Sequence, residues 1–362
     1  MRNTAQIVRC LALPGQRLSV FPSGYQFVRF PVRRPGLADS LGLLAWGSFG
    51  GQPGAAPGAT GIVWVPTSSY VRTWWTTDIA HGANVPSCYE PSMTKPALDA
   101  SGKAALAAQA WVEVCELLDL QLSPLGMRAI DALGPALGDM VVDIGCGAGQ
   151  STLQLAGRVG AVGRVVGVDI AAPLLDLARH RAADLPQVSF LQADAQCLDL
   201  PDQSADGIYS RFGVMAFADS QAAFGNFRRV LKPSGRLAFV CWRALEANEL
   251  DFMPLQATGL EAMADWTPFS FADAEFLRTM LSAAGFDDIV VQAGNEAVSS
   301  GSLEAMATVL FRVGPLGRIL RENPGLKTEA EPKLRAALAD HEEHGVVALR
   351  AATWIVTACP RV

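Results

Sequence analysis

The sequence predicts an α/β protein built on a doubly wound, Rossmann-like parallel sheet. Three observations predict it. Short apolar runs alternate with helical patterns from Gly102 onward, a glycine-rich turn (Gly145-Cys-Gly-Ala-Gly149) follows the first such run, and acids close the second and third runs at Asp169 and Asp194.

The elements read in order. Ala104 to Leu120 places Trp111, Val112, Cys115 and Leu118 near helical spacing, and Pro124 to Leu133 reads as a second helix with proline in its tolerated first turn. Met140 to Ile144 is a short buried strand and Ser151 to Arg158 its following helix. Gly163 to Ile170 is a strand, Ala172 to Ala183 a helix, and Val188 to Leu191 a third strand. Gly207 to Ser210, the helix Ser220 to Leu231 and the strand Arg236 to Trp242 follow, the last entered through the Pro233-Ser-Gly turn. Ala272 to Ala284 and Asp288 to Val291 add one more helix and strand. Right-handed crossovers then put ligands at the carboxyl ends of the strands.

Composition bounds the rest. With 362 residues, 50% hydrophobic and 18% charged, the chain can bury a large core, which excludes wholesale disorder. The net charge of −6 hides a split: residues 1–92 carry seven Arg, no Lys and three acids, and the remainder carries −10. A domain this acidic does not favour nucleic acid as a partner. Residues 1–92 are rich in Gly and Pro and read as a poorly structured extension: disordered, or an Arg-rich targeting segment, or translated sequence ahead of a start at Met93. Its short β-like runs, Tyr25 to Phe30 and Gly61 to Pro66, do not alternate long enough to define a sheet. No apolar run is long enough to span a membrane, and there is no signal-peptide h-region, so a cytoplasmic protein is the default expectation. Seven scattered cysteines with no C-x-x-C pair argue against a disulfide framework and a zinc site.

The chemistry concentrates at Asp143-Ile-Gly-Cys-Gly-Ala-Gly149. Gly145, Gly147 and Gly149 let the backbone turn sharply and let a ligand approach it, and a helix N-terminus follows. Asp169 stands where ribose hydroxyls would lie, with Ile170 beside it, and Asp194 and Ala195 stand where a base edge would lie. A dinucleotide fingerprint would need glycine at position 150, where the chain has Gln150. Asp143 would repel a pyrophosphate and suit a ligand bearing an ammonium group, such as S-adenosylmethionine. Asp143 could also merely cap the neighbouring helix.

Val141 to Thr152, Val168-Asp-Ile170, Gln192-Ala-Asp-Ala195 and Leu231-Lys-Pro-Ser-Gly-Arg-Leu-Ala238 together resemble the motifs of class I S-adenosylmethionine-dependent methyltransferases. Within them the chain is most similar to the branch around the ubiquinone/menaquinone biosynthesis methyltransferases. The resemblance implies a seven-stranded sheet with an antiparallel last strand, for which Ala351 to Ala358 is the candidate. It implies one methyltransferase domain over residues 93–362: a helical cap at 102–133, a core at 139–242, an acceptor-side insertion at 243–271 and a C-terminal part at 272–362. It implies S-adenosyl-L-methionine as cofactor, with Gly145, Cys146, Gly147 and Gly149 along the methionine part, Asp169 and Ile170 at the ribose, and Asp194 and Ala195 at the adenine. Ser210, Arg211 and Phe212 would border the reacting methyl group, and Trp242, Phe252, Met253 and Trp266 would roof a small, apolar acceptor. The same Met and aromatic residues could equally be the core of a small cap.

Several residues have plainer explanations. Cys146 suits a tight turn better than a nucleophile. His180 sits in an Arg-rich stretch, and His341 and His344 lack a third ligand, so no metal site is expected. Arg228, Arg229, Lys232 and Arg236 flank a helix C-terminus, where cations are favourable. His341, His344 and Glu249 are candidate bases without supporting spacing, so no catalytic residue is assigned. An NAD-type oxidoreductase on a related fold, or a non-catalytic relic that keeps the cofactor site, are the alternatives to a methyltransferase.

Overall fold

A computed structural model describes residues 100–361, with side chains from Ala105 onward, and before them the backbone of five short strands. Ser19–Val20, Gln26–Val32 and Ser40–Trp46 pair in an antiparallel sheet, where the sequence offered only short β-like runs, and Ile62–Trp64 pairs with Arg72–Trp74. The other expectations for 1–92, and the boundary at Met93, fall outside the described residues.

From Ala100 the chain forms helices α1 (Ala100–Glu113) and α2 (Cys115–Leu133), then β1 (Met140–Ile144), α3 (Gln150–Val159), β2 (Arg164–Asp169), α4 (Ala172–Arg181) and β3 (Val188–Gln192). Next come β4 (Ala205–Arg211), α5 (Ser220–Val230), β5 (Leu231–Trp242), α6 (Glu249–Thr258), α7 (Ala274–Ala283) and β6 (Phe286–Gly301). Three helices, α8 (Leu303–Leu310), α9 (Gly314–Glu322) and α10 (Lys327–Ala339), precede β7 (Val346–Pro360). The strands lie in the order β6-β7-β5-β4-β1-β2-β3, with the two-residue strand Glu342–Glu343 added beside β7. β5 through β3 are mutually parallel, and β7 runs antiparallel to both of its neighbours, β5 and β6.

The strand order reverses between β1 and β4, and in open α/β sheets the crevice at such a point receives the ligand. Both faces are covered. Tyr209 pairs with Ala238 and Ser210 with Phe239, so Tyr209 and Phe239 point to opposite faces. The Tyr209 hydroxyl donates to the Gly126 carbonyl of α2 at 3.0 Å, while Phe239 meets Phe224 of α5 at a ring distance of 5.6 Å. The central strands are buried apolar runs because helices cover both sides. Asp219, Asp273 and Ser302 start α5, α7 and α8 by accepting from backbone N–H groups of the first turn.

Two expectations change. The first helical break falls at Val114, and α2 runs straight through Pro124. An interior proline costs about 3 kcal/mol, but Leu118, Leu122, Leu125 and Ala129 form one continuous buried stripe past it, and Pro124 itself faces solvent. The sixth strand is far longer than Asp288 to Val291: β6 pairs along nearly all of β7, whose half from Val346 to Ala352 extends beyond β5.

Candidate cofactor and acceptor site

The glycine loop is anchored from two sides. The N–H groups of Gly145 and Cys146 donate to the Val168 carbonyl at 2.8 and 3.1 Å, tying the end of β1 to β2. Gly145 has a φ of +68°, and a Cβ there would lie 2.7 Å from the Cα of Gly213, in the turn after β4. Only two glycines permit this approach. Ser210 fastens the same junction: its hydroxyl donates to the Ile144 carbonyl at 2.7 Å and accepts from Gly213 N–H at 3.2 Å. Gly147, at φ +54°, differs, because a Cβ built there meets nothing within 4 Å. Its open side is a cradle at the strand ends.

Asp143 lies beneath that loop, with no exposed surface. The hydroxyls of Ser151 and Thr152, in the first turn of α3, donate to its Oδ2 at 2.7 and 2.6 Å, and Oδ1 is buried without a partner. Burial raises its pKa to about 6, outweighing the lowering by the two hydroxyls and Arg211. The sequence allows Asp143 either to meet an ammonium group or to cap the neighbouring helix, and its contacts within the chain are made to that helix. The α3 hydroxyls draw it inward, and it holds the loop to the helix.

Asp169 ends β2. Its Oδ2 accepts from Gly147 N–H at 2.9 Å and its Oδ1 from Ala171 N–H at 2.8 Å, so it shapes the loop while staying partly exposed. Ile170 beside it is 69% exposed, a large apolar side chain left open at the sheet edge. Asp194 accepts from Gln196 N–H at 2.8 Å and is exposed, and hydrogen bonds from that N–H and the Gln196 side chain hold its carboxyl below the usual range. Ala195 is buried next to it. Cys146 packs close to Gly167, and burial pushes its thiol far up, which removes the nucleophile reading. Gly149 is buried at the start of α3.

Arg211 is committed elsewhere than the sequence expected. Its guanidinium donates to Gln150 Oε1 and lies 3.6 Å from Asp119 of α2. Asp119 also takes Arg181 at 2.8 Å, and Arg181 donates to the Ala148 carbonyl at 3.2 Å. One carboxylate thus ties α2, α4, β4 and the glycine loop together. The sequence reading missed Asp119 and Arg181, because they lie in helices without a motif.

Phe212 and Trp242, at the ends of β4 and β5, stack and line a cavity of about 330 Å³. Phe212 has a φ of +61°, a conformation that turns its ring there. Leu122 of α2, Phe269 of the 267–269 turn, and Val309 and Leu310 of α8 add apolar walls. Of the other expected pocket residues, Phe252 and Met253 pack against the core and Trp266 is 52% exposed, and none of them lines the cavity. The register of α6 explains this, since it turns Leu250 and Asp251 inward instead.

Asp251 is 7% exposed, and among the described residues no hydrogen bond or ion pair reaches its carboxylate. Burial alone raises its pKa to about 7. The bases considered from the sequence have other settings. Glu249 accepts from the backbone and side chain of Arg350, and His341 and His344 lie in the turn before β7, away from the cavity. The basic set is engaged structurally: Arg229 pairs with Asp202, Lys232 with Asp206, and Arg228 donates to two backbone carbonyls. Among the described residues no group of three or more His, Cys, Asp or Glu is placed to hold a metal, and no helix is long and apolar enough to cross a membrane.

Residues 141–235 match the family model of a methyltransferase domain. The chain is 37% identical over 138 residues to 2-phytyl-1,4-naphtoquinone methyltransferase of Thermosynechococcus vestitus, covering 38% of this chain and 57% of that enzyme's length. It is 32% identical over 196 residues to the ubiquinone/menaquinone biosynthesis C-methyltransferase UbiE of Pseudomonas savastanoi pv. phaseolicola, covering 51% of this chain and 75% of the relative. The solved structure of the YcgJ protein from Bacillus subtilis is similar at a TM-score of 0.46 and 21% identity, over 66% of this chain and 98% of that one. From the extent of the match to the UbiE sequence and the domain matched across the glycine loop, the chain belongs to the class I S-adenosylmethionine-dependent methyltransferases and is related to their ubiquinone/menaquinone branch.

Proposed function

We propose that the protein transfers a methyl group from S-adenosylmethionine to a small, apolar, quinone-precursor-like molecule held in the cavity floored by Phe212 and Trp242. The observation that carries this reading is the adjacency of two unlike surfaces at one sheet edge: an open glycine cradle at Gly147, and an apolar cavity starting at Phe212.

The cradle's chemistry fits that cofactor. The open face of Gly147 admits a ligand against backbone, the carboxylate of Asp169 has lone pairs left for ribose hydroxyls, and the exposed Ile170 offers an apolar plate for a base. Gln150 stands where the third glycine of a dinucleotide fingerprint would be. When bound, S-adenosylmethionine supplies an electrophilic methyl group on a positively charged sulfur, so each transfer to a neutral acceptor ends with one proton to be removed. The chain's own part is to orient the two ligands and exclude water. The Arg211–Asp119–Arg181 ties hold α2 over the site, and the walls from α8 and α9 enclose the acceptor.

Calorimetry tests the reading. S-adenosylhomocysteine should bind at micromolar concentration, and Asp169→Ala should weaken it by about 1.5–3 kcal/mol, the scale of losing charge-assisted hydrogen bonds. Binding of NAD, with none of S-adenosylhomocysteine, would overturn it.

A further inference from the structure

We infer that Asp251 is the general base of the acceptor cavity, taking the proton of a weakly acidic hydroxyl on an aromatic acceptor. This rests on the methyltransferase reading above and adds the residue and the acceptor's chemical class.

The cavity lining carries four ionisable side chains: Asp251, Asp265, Arg318 and Arg321. Arg318 is paired with Asp265 and with Glu322. Arg321 donates to the Arg312 carbonyl. Only Asp251 is left, among the described residues, with a proton-accepting atom that nothing in the protein occupies. Its Oδ1 lies against Gly314, where a Cβ would come within 3.0 Å of it, and the next residue, Pro315, has no N–H to offer. The neighbouring elements do not neutralise it either. On α10, Lys333 pairs with Glu329, Arg335 pairs with Glu331 and Glu304, and Lys327 sits over the Phe311 ring. On β7, Arg350 pairs with Glu249, and Glu246 and Glu261 beside α6 are exposed.

A buried, unpartnered carboxylate is costly to keep, so its presence in an apolar cavity points to a ligand group that completes it. The walls favour a flat apolar body, and the transfer leaves one proton to dispose of. An aromatic hydroxyl joins the two requirements in one molecule. In the step assigned to Asp251, the acceptor O–H bond breaks, its electron pair stays on the acceptor oxygen, and the proton goes to a carboxylate oxygen of Asp251. The resulting electron-rich oxygen, or a ring carbon conjugated with it, then bonds to the methyl carbon as the methyl–sulfur bond breaks and its electron pair stays on sulfur. Where a ring carbon attacks, that carbon loses its proton as the oxygen regains one, so one proton leaves overall. Burial also lifts this carboxylate to about 7, closer to the affinity of a phenolic oxygen for a proton than an exposed aspartate would be.

The test uses the full chain, anaerobic 1,4-naphthohydroquinone as the acceptor probe, labelled S-adenosylmethionine, and the variants D251N and D251E. S-adenosylhomocysteine binding is measured first on all three proteins and should agree within about twofold. D251N should lower kcat by about a hundredfold or more with little change in KM, as expected for a general base, and D251E should recover part of the loss. The wild-type rate should rise with pH through an apparent pKa near 7, and that dependence should be missing from D251N. Independently of turnover, carboxyl carbon NMR of the cofactor-free protein should show an aspartate titrating near pH 7 in the wild type and not in D251N. A kcat for D251N within about threefold of wild type overturns the assignment. So does a wild type that binds S-adenosylhomocysteine and leaves the hydroquinone unmethylated, because the acceptor class would then be wrong. A wild type that does not bind S-adenosylhomocysteine overturns the methyltransferase reading instead.

Discussion

The ring of Phe212 lies 3.9 Å from that of Trp242 and 21° from parallel, joining the carboxyl ends of β4 and β5 across the floor of the apolar cavity. The stack covers the two strand ends, with Phe212 in a left-handed backbone conformation. Trp242→Ala should destabilise the protein by about 3 kcal/mol, the low end for a large aromatic because the site already borders a cavity. Urea denaturation would measure this, and Trp242→Phe should restore most of the loss.

Gly145 and Gly147 make a contrasting pair. Gly147→Ala places a methyl in open space at φ +54°, so it should cost about 1–2 kcal/mol in stability while weakening S-adenosylhomocysteine binding tenfold or more. Gly145→Ala drives a methyl onto the Gly213 backbone and should lower the melting temperature considerably further. Melting curves and calorimetry on the same two variants separate fold from cradle.

Asp119 is the shared partner of Arg181 and Arg211, with side chains only 13–20% exposed across the three. Asp119→Ala should therefore cost about 2–4 kcal/mol, since it leaves two largely buried guanidinium groups without their shared carboxylate. The double variant with Arg181→Ala should lose less than the sum of the single losses, which a double-mutant cycle by chemical denaturation would read.

Asp143 and Asp251 make stability fall with pH. Both have folded-state pKa values raised from 3.8, to about 6 and about 7, so the fold favours their protonated forms. The stability tied to them is complete below about pH 4 and is lost as pH rises through their folded values. Between pH 4 and pH 8, D251N should gain on the wild type by up to about 4 kcal/mol, at 1.36 kcal/mol per unit. Urea titrations at the two pH values would check this, and a difference that shrinks with rising pH would contradict the burial argument.

Trp266→Ala should leave the acceptor KM unchanged, because the ring is half exposed and outside the cavity, whereas Phe269→Ala should raise it. Steady-state kinetics on both variants decide which aromatic the acceptor touches.

Much of this molecule was legible in its residues. The strands β1 and β2 are short, buried apolar runs that end in glycine or acid, as buried parallel strands do, so Met140–Ile144 was bounded to the residue. The cradle followed from glycine spacing alone. The helices α8 to α10 were not read, because Gly314-Pro315, Pro324-Gly325 and Pro332 punctuate them like loops, while their apolar faces form only against α6 and the long strands. Asp251 was hidden for a different reason. An acid in the first turn of a helix ordinarily complements the helix dipole, and only the tertiary arrangement turns this one into a cavity.

The long pair β6 and β7 has a further bearing. The two strands are adjacent and antiparallel, so a tight turn could join them, yet the chain leaves after Gly301 and returns at Val346 by way of three helices. That excursion supplies one side of the acceptor cavity and none of the glycine cradle. The other sides come from elsewhere in the chain, among them Leu122, Phe212, Trp242 and Asp251. Residues 302–345 can therefore vary on their cavity side without altering a residue of the glycine cradle.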